Sequence, residues 1–295
     1  MKRNEKIGDK KMKKKWWIAI LTGLCACFMS LAFVACGGGN NGGNDGGSDS
    51  VGDNGSLEEE EIATLIMQLS EDESYYIVTG VGNKGCTKIV IPEECKGKPV
   101  KEIGAYAFQN CYALTSVKIS DSVTTIEDYA FYHCESLASI EIPDSVTTFG
   151  EVAFAHCYSL TSVYITDIEA WCKISFNGYG GRLLNAWNLY LNNELVTELV
   201  IPDTVMEIKP YAFYSCDSLT SVVIGDSVTS IGSFAFYYCS SLTSIKFNDT
   251  STWYRTTSSF NWNNKIGGTS TSVTSSSQNA TYFKSTYGDY YWYKL

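Results

Sequence analysis

The chain has 295 residues, 44% of them hydrophobic and 20 of them tyrosines, which is enough to build a core and argues against general disorder. The formal net charge is −10, but residues 1–35 carry +6, so the remainder carries −16. A body this acidic argues against binding to nucleic acid, whose phosphates attract Lys and Arg, and against electrostatic adhesion to anionic lipid.

The first segment, residues 1–35, has the order of an export signal. Lysines at 13–15 precede an apolar run that ends at Ala35. The sequence Leu31-Ala32-Phe33-Val34-Ala35-Cys36 resembles the lipobox of bacterial lipoproteins, although Phe33 stands where Leu is usual. The resemblance implies a cleaved lipoprotein signal peptide and acylation of Cys36. The alternative is that the run is kept as a membrane helix, since its length suits a bilayer.

Residues 36–61 are rich in Gly, Asn, Asp and Glu, which predicts a flexible tether. About twenty such residues span roughly 25 Å. Either fate of the export signal therefore displays the folded body on the extracellular face of the cell membrane. Residues 62–88, with a strand beginning at Tyr75, are predicted to cap the N-terminal end of the body.

A 23-residue pattern recurs between residues 89 and 247. Each copy contains an Ala-Phe pair, a cysteine and a leucine, and within two runs every step is 23. Its phenylalanines are Phe108, Phe131, Phe154, Phe213 and Phe236. A short fixed period predicts a solenoid, in which each repeat buries its apolar face against its neighbours.

One repeat predicts a strand followed by a tight turn. Ile140 and Ile142 alternate with Glu141, so the two isoleucines point inward and the glutamate outward. Pro143 ends the strand because it has no N–H to donate. Ala153-Phe154 is predicted to form a short helical or 3₁₀ turn with the phenylalanine in the core. Stacked repeats then form a parallel sheet.

These residues resemble the Treponema-type, or BspA-like, leucine-rich repeat of bacterial surface proteins, over about residues 75–250. The resemblance implies an α/β repeat solenoid. This fold is a right-handed coil with a parallel β-sheet, short helices or 3₁₀ turns on its convex side, and β caps at both ends. The resemblance also implies attachment to host matrix proteins or to other cells.

The period is interrupted in an irregular unit, residues 166–195, where a bend of the solenoid is expected. Trp171, Ile174 and Phe176 replace the Ala-Phe core there. Asn192-Asn193 predicts a tight hairpin, since Asn tolerates positive φ.

After the last repeat, residues 248–295 are rich in Ser, Thr and aromatic residues and are predicted to be a C-terminal cap. A small separate β module is the alternative. If the protein binds glycans, Trp253, Trp262 and Trp292 are the expected stacking platforms.

The cysteines and histidines suggest two kinds of site. Buried thiols that hydrogen-bond to the backbone are the preferred interpretation of the cysteine column, and disulfides, including Cys86–Cys95, are the alternative in an exported chain. His133 and His156 each precede a cysteine, but zinc needs four converging ligands. The sequence therefore predicts no metal and no other cofactor.

No catalytic motif is present in the sequence: it lacks Gly-x-Ser-x-Gly, a Walker loop and His-Glu-x-x-His. The repeated aspartates, such as Asp144, fit a recurring turn. The chain is therefore predicted not to be an enzyme. An active site in the irregular unit or the C-terminal cap is the alternative.

Two surfaces are candidates for binding. The concave sheet face presents Lys118, Glu141 and Tyr164, and the convex turn side presents Tyr129, Tyr132, Tyr211, Tyr214 and Tyr237. Aromatic residues on the turns either stabilise neighbouring turns or contact a partner. The predicted function is adhesion or protein–protein interaction by a lipid-anchored surface protein. Its partner is an extracellular protein or a host matrix or cell-surface ligand, and it contacts the membrane through the lipid anchor only. A glycan-binding module for polysaccharide capture is the alternative.

Overall fold

The computed structural model describes residues 34–36, 63–177 and 187–295, and of residues 34–36 and 260–262 only the backbone. It is a β-solenoid of about seven turns in which most strands are parallel, which confirms the predicted repeat solenoid. The predicted signal peptide and tether lie outside the described residues, except for residues 34–36. Within the described ranges, every helix falls short of the length and apolar character that a membrane span requires.

One face of the solenoid, the sheet face, is built from the strand that was predicted for each repeat. Tyr164 lies beside Glu141 in parallel register, and Val223 beside Val200. The residues that alternate with these positions along each strand, such as Ile140, are buried. They fix the register because a one-residue slip would expose them. The strands of this face are β4 (Lys88–Val90), β7 (Ser116–Lys118), β9 (Ser139–Glu141), β11 (Ser162–Ile165), β13 (Asn188–Leu191), β15 (Glu198–Val200), β17 (Ser221–Ile224) and β19 (Ser244–Phe247).

A second row of parallel strands follows the first and was not predicted. Inside the repeats each strand of this row has only two residues, and its second residue, such as Ile126 or Phe149, is buried. The sequence predicted that such residues face inward but not that they form strands. The strands of this row are β6 (Lys98–Ile103), β8 (Thr125–Ile126), β10 (Thr148–Phe149), β12 (Ser175–Phe176), β16 (Glu207–Ile208) and β18 (Ser230–Ile231).

The N-terminal strands extend the second row. β2 (Leu65–Leu69) and β3 (Tyr76–Val81) form an antiparallel hairpin, and β3 pairs in parallel with β6. β1 (Val34–Cys36) pairs with β2, and β5 (Glu94–Cys95) pairs with β6. The hairpin therefore occupies the sheet edge that the first repeat would otherwise expose.

The predicted apolar spine runs through the solenoid. The five repeat phenylalanines are at most 1% exposed: Phe108, Phe131, Phe154, Phe213 and Phe236. Within each run their rings stack with centroids 5.0–5.2 Å apart. This stacking adds to the apolar area that each ring buries, so the phenylalanine column couples each repeat to the next.

The irregular unit begins with a helix, α1 (Ile168–Lys173). It starts after Asp167, whose carboxylate accepts hydrogen bonds from the N–H groups of Glu169 (2.6 Å) and Ala170 (3.3 Å). Helix α1 buries Trp171 against the neighbouring repeats.

The hairpin of the irregular unit is confirmed. Asn192 and Asn193 have φ values of 51° and 67°, and β14 (Glu194–Leu195) pairs antiparallel with β13. Phe176, however, pairs with Phe149 in the second row of strands, so it does not replace the Ala-Phe core as predicted. Residues 178–186 of this unit lie outside the described residues.

The C-terminal segment packs on the last repeat. The N–H of Phe234 donates to the carbonyl oxygen of Gly288 (2.6 Å), and that of Tyr238 to Lys284 (3.2 Å). Those N–H groups would face a further repeat if the pattern continued. The elements of this segment before its last strand are β20 (Trp253–Thr256), α2 (Ser259–Asn264), β21 (Thr269–Thr271), α3 (Ser276–Thr281) and a π-helical turn (Tyr282–Thr286). The last strand of the C-terminal segment, β22 (Tyr291–Lys294), pairs antiparallel with β18 and β20.

Candidate binding surfaces

Each regular repeat turns by means of two residues with positive φ, four positions apart. Around Phe131 they are Tyr129 (φ 59°) and His133 (φ 60°), and the segment is a hydrogen-bonded turn, not the predicted helix or 3₁₀ turn. The N–H groups of Tyr129, Phe131 and His133 donate to the next repeat, whereas those of Ala130 and Tyr132 donate within the turn. Positive φ costs a non-glycine residue about 1–2 kcal/mol, which this ladder of hydrogen bonds offsets.

The turns of the first repeats together form an exposed group of rings. Tyr106 and Tyr129 stack with centroids 4.9 Å apart and planes 9° from parallel. Tyr112 and Tyr158 are 52% and 55% exposed. We call this group the aromatic surface: Tyr106, Tyr112, Tyr129, Tyr132, His133, His156 and Tyr158.

The two histidines belong to this surface. His133 and His156 stack 4.4 Å apart, and Tyr132 meets both rings edge-on. Nδ1 of His133 lies 3.0 Å from the Glu135 carboxylate, and Nδ1 of His156 lies 2.7 Å from the Tyr158 hydroxyl. Each imidazole is thus held within its own turn. Among the described residues, no group of three or more His, Cys, Asp or Glu is placed to hold a metal ion.

A second aromatic group lies beyond the irregular unit. Tyr211 stacks on Phe234 at 5.0 Å, and both are partly exposed. Tyr237 is also partly exposed, and its hydrogen bond with Tyr238 raises the pKa of its hydroxyl. Tyr214 is only 5% exposed, so its predicted place on the binding surface is wrong. Its ring packs beneath Tyr238 instead.

The sheet face places its three predicted residues on adjacent strands. Lys118 and Glu141 are exposed, and Tyr164 is half-buried. Tyr164 stacks on Tyr190 with centroids 4.5 Å apart, a neighbour that was not predicted. The position of Tyr190 between Leu189 and Leu191 would have indicated that its ring lies on the sheet face.

The repeat cysteines are buried thiols, which agrees with the preferred interpretation of the sequence: Cys111, Cys134, Cys157, Cys216 and Cys239. The thiols of Cys134, Cys157 and Cys239 donate to the carbonyl oxygen of the phenylalanine one repeat earlier, at 3.0–3.3 Å. Each carbonyl also accepts a backbone N–H within its own turn, so the thiol adds a second hydrogen bond that links two repeats. Cys95 is disulfide-bonded whereas Cys86 is a buried thiol outside any disulfide, so the Cys86–Cys95 pairing is wrong.

Two of the three tryptophans considered as sugar platforms are not on the surface. Trp253 and Trp292 are fully buried between the C-terminal segment and the last repeat. Neither ring can stack on a sugar, so this part of the glycan interpretation is wrong. The side chain of Trp262 lies outside the described residues.

Stacked turns, an apolar spine and extended outer faces define a repeat protein of the binding-module class. The BspA-type leucine-rich repeat region matches residues 82–179 and 188–288, in six copies. The chain therefore belongs to the BspA-type leucine-rich repeat family.

Several solved structures are similar to this chain. The leucine-rich repeat protein of Treponema pallidum is 26% identical over 62% of this chain and 78% of its own, with a TM-score of 0.41. A leucine-rich cell surface protein of Faecalibacterium prausnitzii is 21% identical over 68% and 77%, with a TM-score of 0.23. The pneumococcal vaccine antigen PcpA is 22% identical over 56% and 40%, with a TM-score of 0.36. No curated protein sequence matches the chain.

Proposed function

We propose that this chain is a non-catalytic, lipid-anchored protein of the bacterial cell surface that mediates adhesion by binding an extracellular protein. The observation that carries the proposal is the aromatic surface, in which exposed tyrosines project from turns held by inter-repeat hydrogen bonds. Tyrosine is enriched where proteins meet, because its ring offers apolar area and its hydroxyl a hydrogen bond.

The aromatic surface is pre-ordered, which favours binding. Tyr129 is stacked on Tyr106, and the hydroxyl of Tyr158 is bonded to His156, so these rings lose little rotamer freedom when a partner arrives. The same stacking also stabilises the turns. Exposure distinguishes the two roles, since about half of each ring of Tyr106, Tyr112 and Tyr158 is available to a partner.

Lipid anchoring of Cys36 completes the proposal and supplies the means of display. The tether would hold the body away from the membrane, outside the cell. Mass spectrometry of the mature protein tests this step: an acylated N-terminal Cys36 supports it. An intact N-terminus that retains residues 1–35 supports the membrane helix instead.

Adhesion is tested with bacteria that display the full chain or its variants on a coat of mixed matrix proteins and on epithelial monolayers. Tyr112→Ser combined with Tyr158→Ser is expected to reduce attachment at least about fivefold, because these rings are exposed and lie beside the stacked histidines of the surface. Tyr238→Ser is the matched control, since Tyr238 is 56% exposed but lies in the other aromatic group. Equal attachment of all three proteins, at equal display, would contradict the proposal.

Glycan binding is the second candidate, and the stacked pair Tyr164–Tyr190 favours it. These half-buried rings lie on the sheet face, where a sugar can contact a ring face. A glycan array separates the two functions: sugar binding that Tyr164→Ser abolishes and the aromatic-surface variant leaves unchanged supports this candidate.

A further inference from the structure

The sheet face is interrupted at the irregular unit, where two strand edges meet. β14 ends one sheet and has β13 as its only strand partner in the described chain, and β15 begins the next sheet with β17 as its only such partner. The chain passes directly from β14 to β15 through Val196 and Thr197. A groove of about 390 Å³ lies along this junction.

This groove, the edge groove, combines apolar and acidic side chains. Leu195 and Val200 are 50% and 63% exposed, which is unusual for residues of their size in the described solenoid. Glu194 and Glu198 are exposed beside them, and no Lys or Arg is among the described residues that line the groove. Its main lining residues are Ile168, Leu191, Glu194, Leu195, Glu198 and Val200.

The geometry points to an extended peptide as the occupant. An open strand edge offers backbone N–H and C=O groups to an added strand, as in β-augmentation. Along β15, Glu198 and Val200 share the outer side while Leu199 is buried, so every second side chain of a neighbouring strand would lie on the outer side beside the Glu198 carboxylate, and the intervening side chains would face the apolar interior with Leu199. We propose that the edge groove binds an extended peptide that alternates basic and apolar residues.

Charge supports a basic partner over an acidic one. The groove contributes two carboxylates, and the chain beyond residue 35 carries a net charge of −16 against −10 for the whole. Such a field attracts a cationic segment and repels an anionic one. The edge groove shares no residue with the aromatic surface, so peptide binding and adhesion can fail independently.

The test measures fluorescence anisotropy of labelled hexapeptides with the purified full chain. The probe alternates valine and lysine; one control replaces lysine by glutamate, and a second carries N-methyl groups on the edge-facing amides. The lysine peptide is expected to bind at least about tenfold more tightly than either control, and its affinity should fall as salt rises. Equal affinities for the lysine and glutamate peptides, or for the lysine peptide and its N-methylated form, would overturn the proposal.

A charge-reversed variant localises the binding. Glu194→Lys with Glu198→Lys is expected to weaken the lysine peptide at least tenfold and to strengthen the glutamate peptide. Glu93→Lys with Glu94→Lys, at two exposed glutamates that do not line the groove, makes the same change in charge and is the control, which should change affinity less than about twofold. Unchanged binding by the charge-reversed variant would overturn the proposal. So would a concentration-dependent dimer that the peptide displaces, because a second copy would then occupy the groove.

Discussion

The indole N–H of Trp187 donates to the carbonyl oxygen of Tyr214 at 2.7 Å. In a regular repeat the equivalent carbonyl, that of Tyr132, receives a backbone N–H from Asn110 at 2.9 Å. Trp171 does the same for Ala212, at 2.9 Å. Two indoles therefore continue the inter-repeat ladder across the irregular unit, where the backbone donors of a normal turn are replaced.

Removing the indole donor should destabilise the solenoid. Trp187→Phe leaves the buried carbonyl of Tyr214 without this donor, at an expected cost of about 1–3 kcal/mol beyond the lost packing. Trp253→Phe is the matched control, because the buried indole N–H of Trp253 has no hydrogen-bond partner among the described residues. Urea unfolding of both variants measures the difference, and equal destabilisation would contradict the role of the indole.

The phenylalanine column predicts a large core effect at its centre. Phe131 stacks on Phe108 at 5.1 Å and on Phe154 at 5.0 Å, so Phe131→Ala should cost about 3–5 kcal/mol in the free energy of unfolding. Tyr112→Ala, at a 52% exposed position, should change it by no more than about 0.5 kcal/mol. A loss below about 1 kcal/mol for Phe131→Ala would show that the column does not couple the repeats.

The buried thiols should resist alkylation in the folded protein. Burial raises the pKa of Cys111 to about 11 and that of Cys216 to about 12, so at pH 8 both are protonated as well as inaccessible. Iodoacetamide followed by peptide mass spectrometry should label Cys111, Cys134, Cys157, Cys216 and Cys239 only after urea is added. Rapid labelling of Cys134 or Cys239 in native buffer would contradict the packing of the column.

The ion pair between Asp249 and Lys294 predicts a pH dependence. Their N–O distance is 2.6 Å, and the hydrogen bond from Lys294 lowers the pKa of Asp249 from 3.8 to about 2. Because the folded pKa is depressed, the pair stabilises the fold fully above about pH 4, and this contribution is lost as pH falls towards 2.

Asp249→Asn should therefore cost about 1 kcal/mol at pH 7, a modest amount because Asp249 is partly exposed. The difference from the parent protein should shrink as the pH falls from 4 to 2. Asp121→Asn, at an exposed turn, is the control. A difference that stays constant from pH 7 to pH 2 would show that the ion pair contributes nothing.

Much of the architecture follows from periodicity alone. The 23-residue step gives the order of the columns, so the pairing of Tyr164 with Glu141 and the burial of Phe131 were predicted correctly. The hairpin after β13 was predicted correctly from Asn192, because few other residue types readily accept positive φ.

Other features depend on contacts that a linear pattern does not encode. The positive φ of Tyr129 carries no sequence signal, since aromatic residues rarely adopt it, and the ladder to the next repeat imposes it. The Tyr214 ring is buried among the rings of Tyr211, Tyr237 and Tyr238, a packing that the repeat pattern does not reveal. In the described part of the chain β15 has a strand partner on one side only, because the stacking breaks at the irregular unit, and composition does not reveal this break.

The central claim, that the aromatic surface binds an extracellular protein, is tested most directly by tyrosine footprinting. The full chain is iodinated free in solution and again while bound to matrix-coated surfaces, and each tyrosine is quantified by mass spectrometry. We expect binding to reduce iodination of Tyr112 and Tyr158 at least about threefold and to leave Tyr238 unchanged, since all three are more than half exposed in the free chain. Equal iodination of Tyr112 and Tyr158 in the free and bound states would contradict the account.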